Sequence, residues 1–251
     1  MRTPPFLAAA FALPLALLAA VPAAVPGAGR PPADARRGAA RADTLRDLSL
    51  VELPAGANAR GTLMVFISGD GGWASLDQGV ARRIADSGVA VVGLNSRAYL
   101  TSAHRTPDTT AADVARILRH YMALWHCDKA IIAGYSRGAE FVPFVVPRLP
   151  DELRRATVMA VMIAPGTTAS YEFHMIDIVR NVKRATDIPI KPELDRMRGL
   201  ATLCVYGIEE KESLCTLADS SLVTRVPRAG GHHFDGDAAA IGDLIAHAIP
   251  R

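Results

Sequence analysis

Apolar residues fall along this chain in short runs closed by turn residues, with segments of helical spacing between them. Residues 63–67 form a first run of buried-strand character, ending in Ser68-Gly69-Asp70-Gly71-Gly72, and 77–87 then repeats apolar positions at helical intervals. A second strand is expected at 90–94. Thr109 is a plausible N-cap for an amphipathic helix over 111–125, and 129–133 is a third strand that breaks sharply at Gly134. Further strands are expected at 158–163, 200–206 and 221–226, and a closing helix at 238–248. Strands that are apolar throughout are buried on both faces, which places them in a parallel sheet wrapped by helices. The expected fold class is therefore α/β, a mostly parallel sheet flanked by helices in a single domain.

The first part of the chain breaks this pattern. Met1-Arg2 precedes an apolar stretch from Phe6 to Val21, interrupted by Pro14 and followed by Ala23, Ala24 and Gly27, the layout of a secretory signal peptide over 1–27. Residues 28–45, rich in Ala, Arg, Pro and Gly, read as a flexible leader, and the folded domain is expected over 46–251. Export follows from that reading.

Composition adds a few constraints. The chain is 50% hydrophobic and 21% charged, the balance of a protein with a substantial core. Its formal charge of +3 owes much to Arg30, Arg36, Arg37 and Arg41 in the leader, and no basic stripe with interleaved aromatics suggests nucleic-acid binding. Cys204 and Cys215 flank one short segment and, in an oxidising compartment, are placed to close it with a disulfide, leaving Cys127 over. Their spacing fits no metal motif, so neither a metal nor a cofactor is expected.

The strongest chemical signal is Gly134-Tyr135-Ser136-Arg137-Gly138, between the strand 129–133 and a run that can be helical. Glycines two residues either side of a serine let the chain turn tightly and hold a strained nucleophile out at the end of a strand. A serine hydroxyl needs a base and the base an orienting acid, which in this arrangement follow in the order Ser, acid, His. The late strand ends at Gly207, and Glu210 is the expected acid, with Glu209 and Glu212 as alternatives. Ala229-Gly230-Gly231-His232-His233 precedes the last helix; His233 is the expected base and His232 the alternative. Backbone N–H groups of Arg137 and of Asp70 or Gly71 are placed to form an oxyanion hole. The glycine-rich loop lacks the Lys-Ser/Thr ending of a nucleotide-binding P-loop.

Taken together, Ser68-Gly69-Asp70-Gly71-Gly72-Trp73, Gly93-Leu94-Asn95-Ser96-Arg97-Ala98-Tyr99, the Thr106-Pro107 to Tyr121 segment, the Ser136 elbow, the Cys204 to Cys215 segment and the Gly230 to Asp237 turn resemble the VirJ/AcvB family of bacterial virulence-associated proteins, a branch of the α/β-hydrolases. The chain departs from that family's pattern at Arg137, where a less bulky or less charged residue is expected, and in having Glu where Asp is common in the acidic turn. The resemblance implies a periplasmic hydrolase of lysyl-phosphatidylglycerol, with an aminoacylated phospholipid at the membrane surface as its partner. It also implies a connection with virulence and type IV secretion, hence with envelope or secretion-system proteins. A lysyl group needs a carboxylate for its ammonium, and Asp70 and Glu172 are the candidates. Two other functions compete with this one: a different lipid or carboxyl esterase using the same Ser136, and a secretion accessory in which catalysis is not required.

Overall fold

A computed structural model describes residues 45–56, 58–178, 182 and 184–250. The signal peptide expected at 1–27 and all but the last residue of the leader at 28–45 lie outside them.

A 3-10 turn, Leu45–Asp47, opens the domain. It is followed by strands β1 (Leu50–Leu53) and β2 (Thr62–Ile67), helix α1 (Ser75–Asp86), strand β3 (Ala90–Leu94), and helices α2 (Ser96–Ser102) and α3 (Pro107–Leu124). Strand β4 (Lys129–Tyr135), helices α4 (Arg137–Val145) and α5 (Asp151–Ala156), and strand β5 (Thr157–Ile163) come next. Two-residue strands β6 (Thr168–Ala169) and β7 (Ile188–Pro189) bracket an excursion, and helix α6 (Lys191–Asp195) leads into β8 (Ala201–Gly207). Helix α7 (Leu214–Leu217), strand β9 (Thr224–Arg228) and helix α8 (Ala238–Ala248) complete the chain.

Seven strands form one sheet in the order β1-β3-β2-β4-β5-β8-β9. Every pairing in it is parallel except β1 with β3. Alternation along each strand supplies two cores, one per face. Leu63, Val65 and Ile67 of β2 join Ala130 and Ile132 of β4 in the core that also takes Val114, Leu118, Phe141 and Phe144 from α3 and α4. Met64 and Phe66 face the other way with Ile131 and Ala133, against Val80 and Ile84 of α1 and Ile241 and Ile245 of α8. Apolar runs without polar breaks are thus explained: both faces of β2 are fully buried.

Several expected bounds change: the strand expected at 129–133 runs through Gly134 to Tyr135, the one expected at 221–226 lies at Thr224–Arg228, and helix α3 differs at its start. Helix α3 begins four residues before the expected 111, at Pro107, and its N-cap is Thr106 rather than Thr109. Thr106 accepts from the Thr109 N–H at 3.2 Å, while the Thr109 hydroxyl oxygen accepts from the Thr106 N–H at 2.8 Å. Proline at the first helical position lacks only an N–H that the helix would leave unpaired.

In this parallel sheet β2, β4, β8 and β9 all end on the same edge. The loops that follow them, 68–74, 136, 208–213 and 229–237, therefore converge at the carboxyl ends of the strands, where sheets of this kind place their sites.

Candidate active site

Ser136 sits between β4 and α4 at φ 51° and ψ −118°, a conformation that L-residues avoid, that costs roughly 1–3 kcal/mol and that persists only where the surroundings enforce it. The surroundings do. The Ser136 N–H donates to the Ile163 carbonyl at 2.8 Å, and the Glu140 N–H donates to the Ser136 carbonyl at 3.1 Å as α4 begins. A Cβ on Gly134 would lie 2.3 Å from the Gly138 backbone, and one on Gly138 would lie 2.0 Å from the Ile67 carbonyl oxygen. Both glycines are required by close backbone approach, so the turn cannot relax into an ordinary strand–helix connection.

Glu210 is fixed at the end of β8. Its N–H donates to the Gly207 carbonyl at 3.1 Å, and its Oε2 accepts from the Gly207 N–H at 2.9 Å. The Cys204–Cys215 disulfide closes the segment that carries it. The other carboxylate oxygen, Oε1, lies 2.7 Å from Nδ1 of His232, and His232 Nε2 lies 2.8 Å from the Ser136 hydroxyl. With Nδ1 protonated toward Glu210, Nε2 is left as the acceptor of the serine proton, the tautomer that general-base chemistry needs.

The ring against Ser136 therefore belongs to His232, which corrects the expectation of His233. The side chain of His233 turns instead to β4, where its Nδ1 is 2.6 Å from the Tyr135 hydroxyl. The same hydroxyl lies 3.2 Å from the His232 carbonyl oxygen. Burial raises the Tyr135 pKa well beyond its ordinary value, so the phenol stays protonated and able to donate. Glu209 and Glu212, the alternative acids, do not take the position beside His232 that Glu210 holds.

The loop after β2 forms the opposite wall. Ser96 anchors it by donating its hydroxyl to the Gly69 carbonyl at 2.6 Å, and Asp77 of α1 accepts the N–H groups of Gly69 at 3.3 Å and Ala74 at 3.1 Å. Burial pushes the Asp77 carboxyl up to about 6, against the opposing effect of those two hydrogen bonds. A Cβ on Gly69 would lie 3.4 Å from the Ser136 Cβ, which puts this loop directly beside Ser136. The Gly69 N–H is engaged by Asp77, and Asp70 and Gly71 follow it in the loop. Across from them Arg137 opens α4, so its N–H lies in the first turn of a helix.

Asp70, one of the expected ammonium acceptors, lines the cavity over Ser136 and is itself paired. Its carboxylate is taken by the Arg137 guanidinium, with Nε to Oδ1 at 2.8 Å and Nη2 to Oδ2 at 3.3 Å. Glu172, the second candidate, pairs with His174 at 3.1 Å and is not among the described residues that line the cavity over Ser136. That cavity, about 510 Å³, is lined by Ser136, His232 and His233 and by five carboxylates, Asp70, Asp77, Glu140, Glu210 and Glu212. Sequence reasoning missed Tyr135, Asp77 and Glu140. Only Asp77 left a local trace, an acidic residue at the third position of its helix.

Comparison with known proteins bears on the fold and the family. The structure is similar to that of an α/β serine hydrolase homologue from Coxiella burnetii, at TM-score 0.59 and 15% identity, covering 81% of this chain and 92% of that one. It is similar also to Est1E from Butyrivibrio proteoclasticus, at TM-score 0.56 and 14% identity over 80% of this chain and 93% of that one. A third likeness is to the esterase Pf2001 of Pyrococcus furiosus, at TM-score 0.55 and 9% identity over 80% and 90%. These likenesses establish the α/β-hydrolase fold. No curated protein sequence matches the chain. The family model described as "Bacterial virulence protein (VirJ)" matches residues 61–251, and the chain belongs to the VirJ family.

Proposed function

We propose that this chain is an exported serine hydrolase that cleaves an ester through an acyl-enzyme, with Ser136 as nucleophile, His232 as base and Glu210 as the acid that orients it. The observation that carries the reading is the continuous chain from Ser136 Oγ to His232 Nε2 at 2.8 Å and from His232 Nδ1 to Glu210 at 2.7 Å. His232 takes the hydroxyl proton as Oγ attacks the ester carbonyl carbon, and the backbone N–H groups of Arg137 and of Asp70 or Gly71 receive the oxyanion. On collapse the C–O bond to the alcohol breaks, and the departing oxygen takes the proton from His232. Water then attacks the acyl-enzyme while losing a proton to His232, which returns it to Ser136 as the acid product leaves.

The substrate we propose is an aminoacyl ester of a phospholipid, of the lysyl-phosphatidylglycerol kind. Membership of the VirJ family supports it. The excursion between β6 and β7 carries the exposed side chains of Met175, Ile176 and Val182, apolar surface of a kind that suits a lipid–water boundary. The disulfide supports an oxidising, periplasmic location.

Release of free lysine from lysyl-phosphatidylglycerol vesicles by the mature protein, beside its Ser136→Ala variant, tests both parts. Release by the wild type alone supports nucleophile and substrate. If neither releases lysine while the wild type hydrolyses simple esters, the substrate is wrong and the machinery stands.

A further inference from the structure

We infer that the Arg137 side chain is a positioning residue for the oxyanion hole, tying the loop after β2 to the nucleophile elbow so that the two backbone donors keep their spacing. The inference rests on the serine-hydrolase reading and extends it to a residue that the triad does not include.

The donors come from segments 67 positions apart in sequence, the Arg137 N–H at the start of α4 and the Asp70 or Gly71 N–H after β2. Nothing covalent sets their separation. Ser96 and Asp77 fasten the loop at Gly69, and Asp77 fastens it again at Ala74, on either side of the part that must donate. Between those points Arg137 grips the Asp70 side chain with two nitrogens, at 2.8 and 3.3 Å. The planar guanidinium against a carboxylate fixes direction as well as distance, which a lysine in the same place would not do.

The guanidinium is held in turn. Its Nη1 donates to the Ser170 carbonyl at 3.1 Å and lies 3.9 Å from Glu140 of the same helix. The Arg137 side chain is only 5% exposed, so it is not a solvated surface cation. Burying an arginine carries a desolvation penalty that an apolar residue would avoid, and the bond to Asp70 is weak evidence of net stabilisation. Its placement makes sense as a brace: one side chain reaches from the residue that supplies the first donor to the residue that supplies the second or adjoins it. Donors already in place when negative charge develops need no reorganisation, and this preorganisation is where oxyanion holes gain most of their effect.

The test is steady-state hydrolysis of p-nitrophenyl acetate, together with inhibition by phenylboronic acid, whose serine adduct is tetrahedral. Arg137→Gln and Asp70→Asn are each expected to lower kcat by about 10- to 100-fold, a little less than loss of an oxyanion donor outright. KM should stay within about 3-fold, and boronate inhibition should weaken in step with kcat, because only transition-state binding is lost. The double variant should be no slower than the slower single one, since both remove the same contact. Arg137→Lys should recover only part of the rate. Should Arg137→Gln not fold, Asp70→Asn carries the same comparison. Wild-type kcat and boronate affinity in a folded Arg137→Gln or Asp70→Asn variant overturn the brace and leave the hydrolase reading intact. An unaltered protein that neither hydrolyses the ester nor binds the boronate overturns both.

Discussion

Tyr135 and His233 are joined by a 2.6 Å hydrogen bond between the phenol and Nδ1, and this bond faces the second of two adjacent histidines away from the nucleophile. Tyr135 is the last residue of β4 and directly precedes Ser136, so the residue next to the proposed nucleophile anchors the loop that carries the proposed base. Its hydroxyl also lies within reach of the His232 carbonyl, at 3.2 Å.

The two histidines should therefore behave differently. His232→Ala is expected to lower kcat by at least about 1,000-fold, as removal of the base in a Ser–His–acid set does. His233→Ala should lower it by about 10-fold or less, through looser placement of His232. Parallel kinetics on a simple ester decide the matter, and equal losses in the two variants would count against the assignment.

The elbow glycines should tolerate no side chain. In Gly138→Ala the new methyl would meet the Ile67 carbonyl at 2.0 Å, with backbone on both sides of the contact. Overpacking of this kind destabilises by about 1–3 kcal/mol or more, and here it would also move Ser136. Thermal melting should show the loss of stability, and active-site labelling the displaced serine.

The Cys204–Cys215 bridge spans 11 positions and encloses Glu210. Closing a loop of that size is worth about 3 kcal/mol by the chain-entropy argument, so a Cys204→Ser/Cys215→Ser variant should unfold at lower denaturant by about that amount. Urea unfolding of the two proteins measures it. Unchanged stability would mean that the segment is held equally well by its backbone bonds to Gly207, Gly230 and Arg228.

Glu140 makes stability depend on pH. Burial pushes its carboxyl up to about 8, with Arg137 opposing the shift, Asp70 and Asp187 adding to it, and the Gly166 N–H opposing it. Because the folded value is raised, its contribution is fully present below the unfolded value of 4.5 and is lost as pH rises toward about 8. The slope is at most ~1.4 kcal/mol per pH unit. Glu140→Gln removes the titration, so the melting temperature of the variant relative to wild type should climb between pH 5 and 8 and then level off. A difference that stays constant with pH would contradict it.

Much of this arrangement was legible before the structure. Strand 90–94 and helix 238–248 have the bounds expected of them, because continuous apolar runs closed by turn residues have few other solutions. Strand β1 was not foreseen: it is four residues long, only partly buried and at the sheet edge, so its apolar pattern is faint. The choice between His232 and His233 could not be read locally either, since it is made by Tyr135, 98 positions earlier in the chain. The bond between Asp70 and Arg137 is likewise tertiary, made across 67 positions of chain, and left no local trace.

The most direct test of the central claim is labelling of the mature protein with a fluorophosphonate, followed by mass spectrometry of the modified peptide. The expected result is one adduct on Ser136, formed at a comparable rate by His233→Ala and strongly slowed in His232→Ala and Glu210→Gln. Absence of an adduct, an adduct on another serine, or a rate that survives loss of His232 would contradict the assignment of Ser136, His232 and Glu210 as the working set.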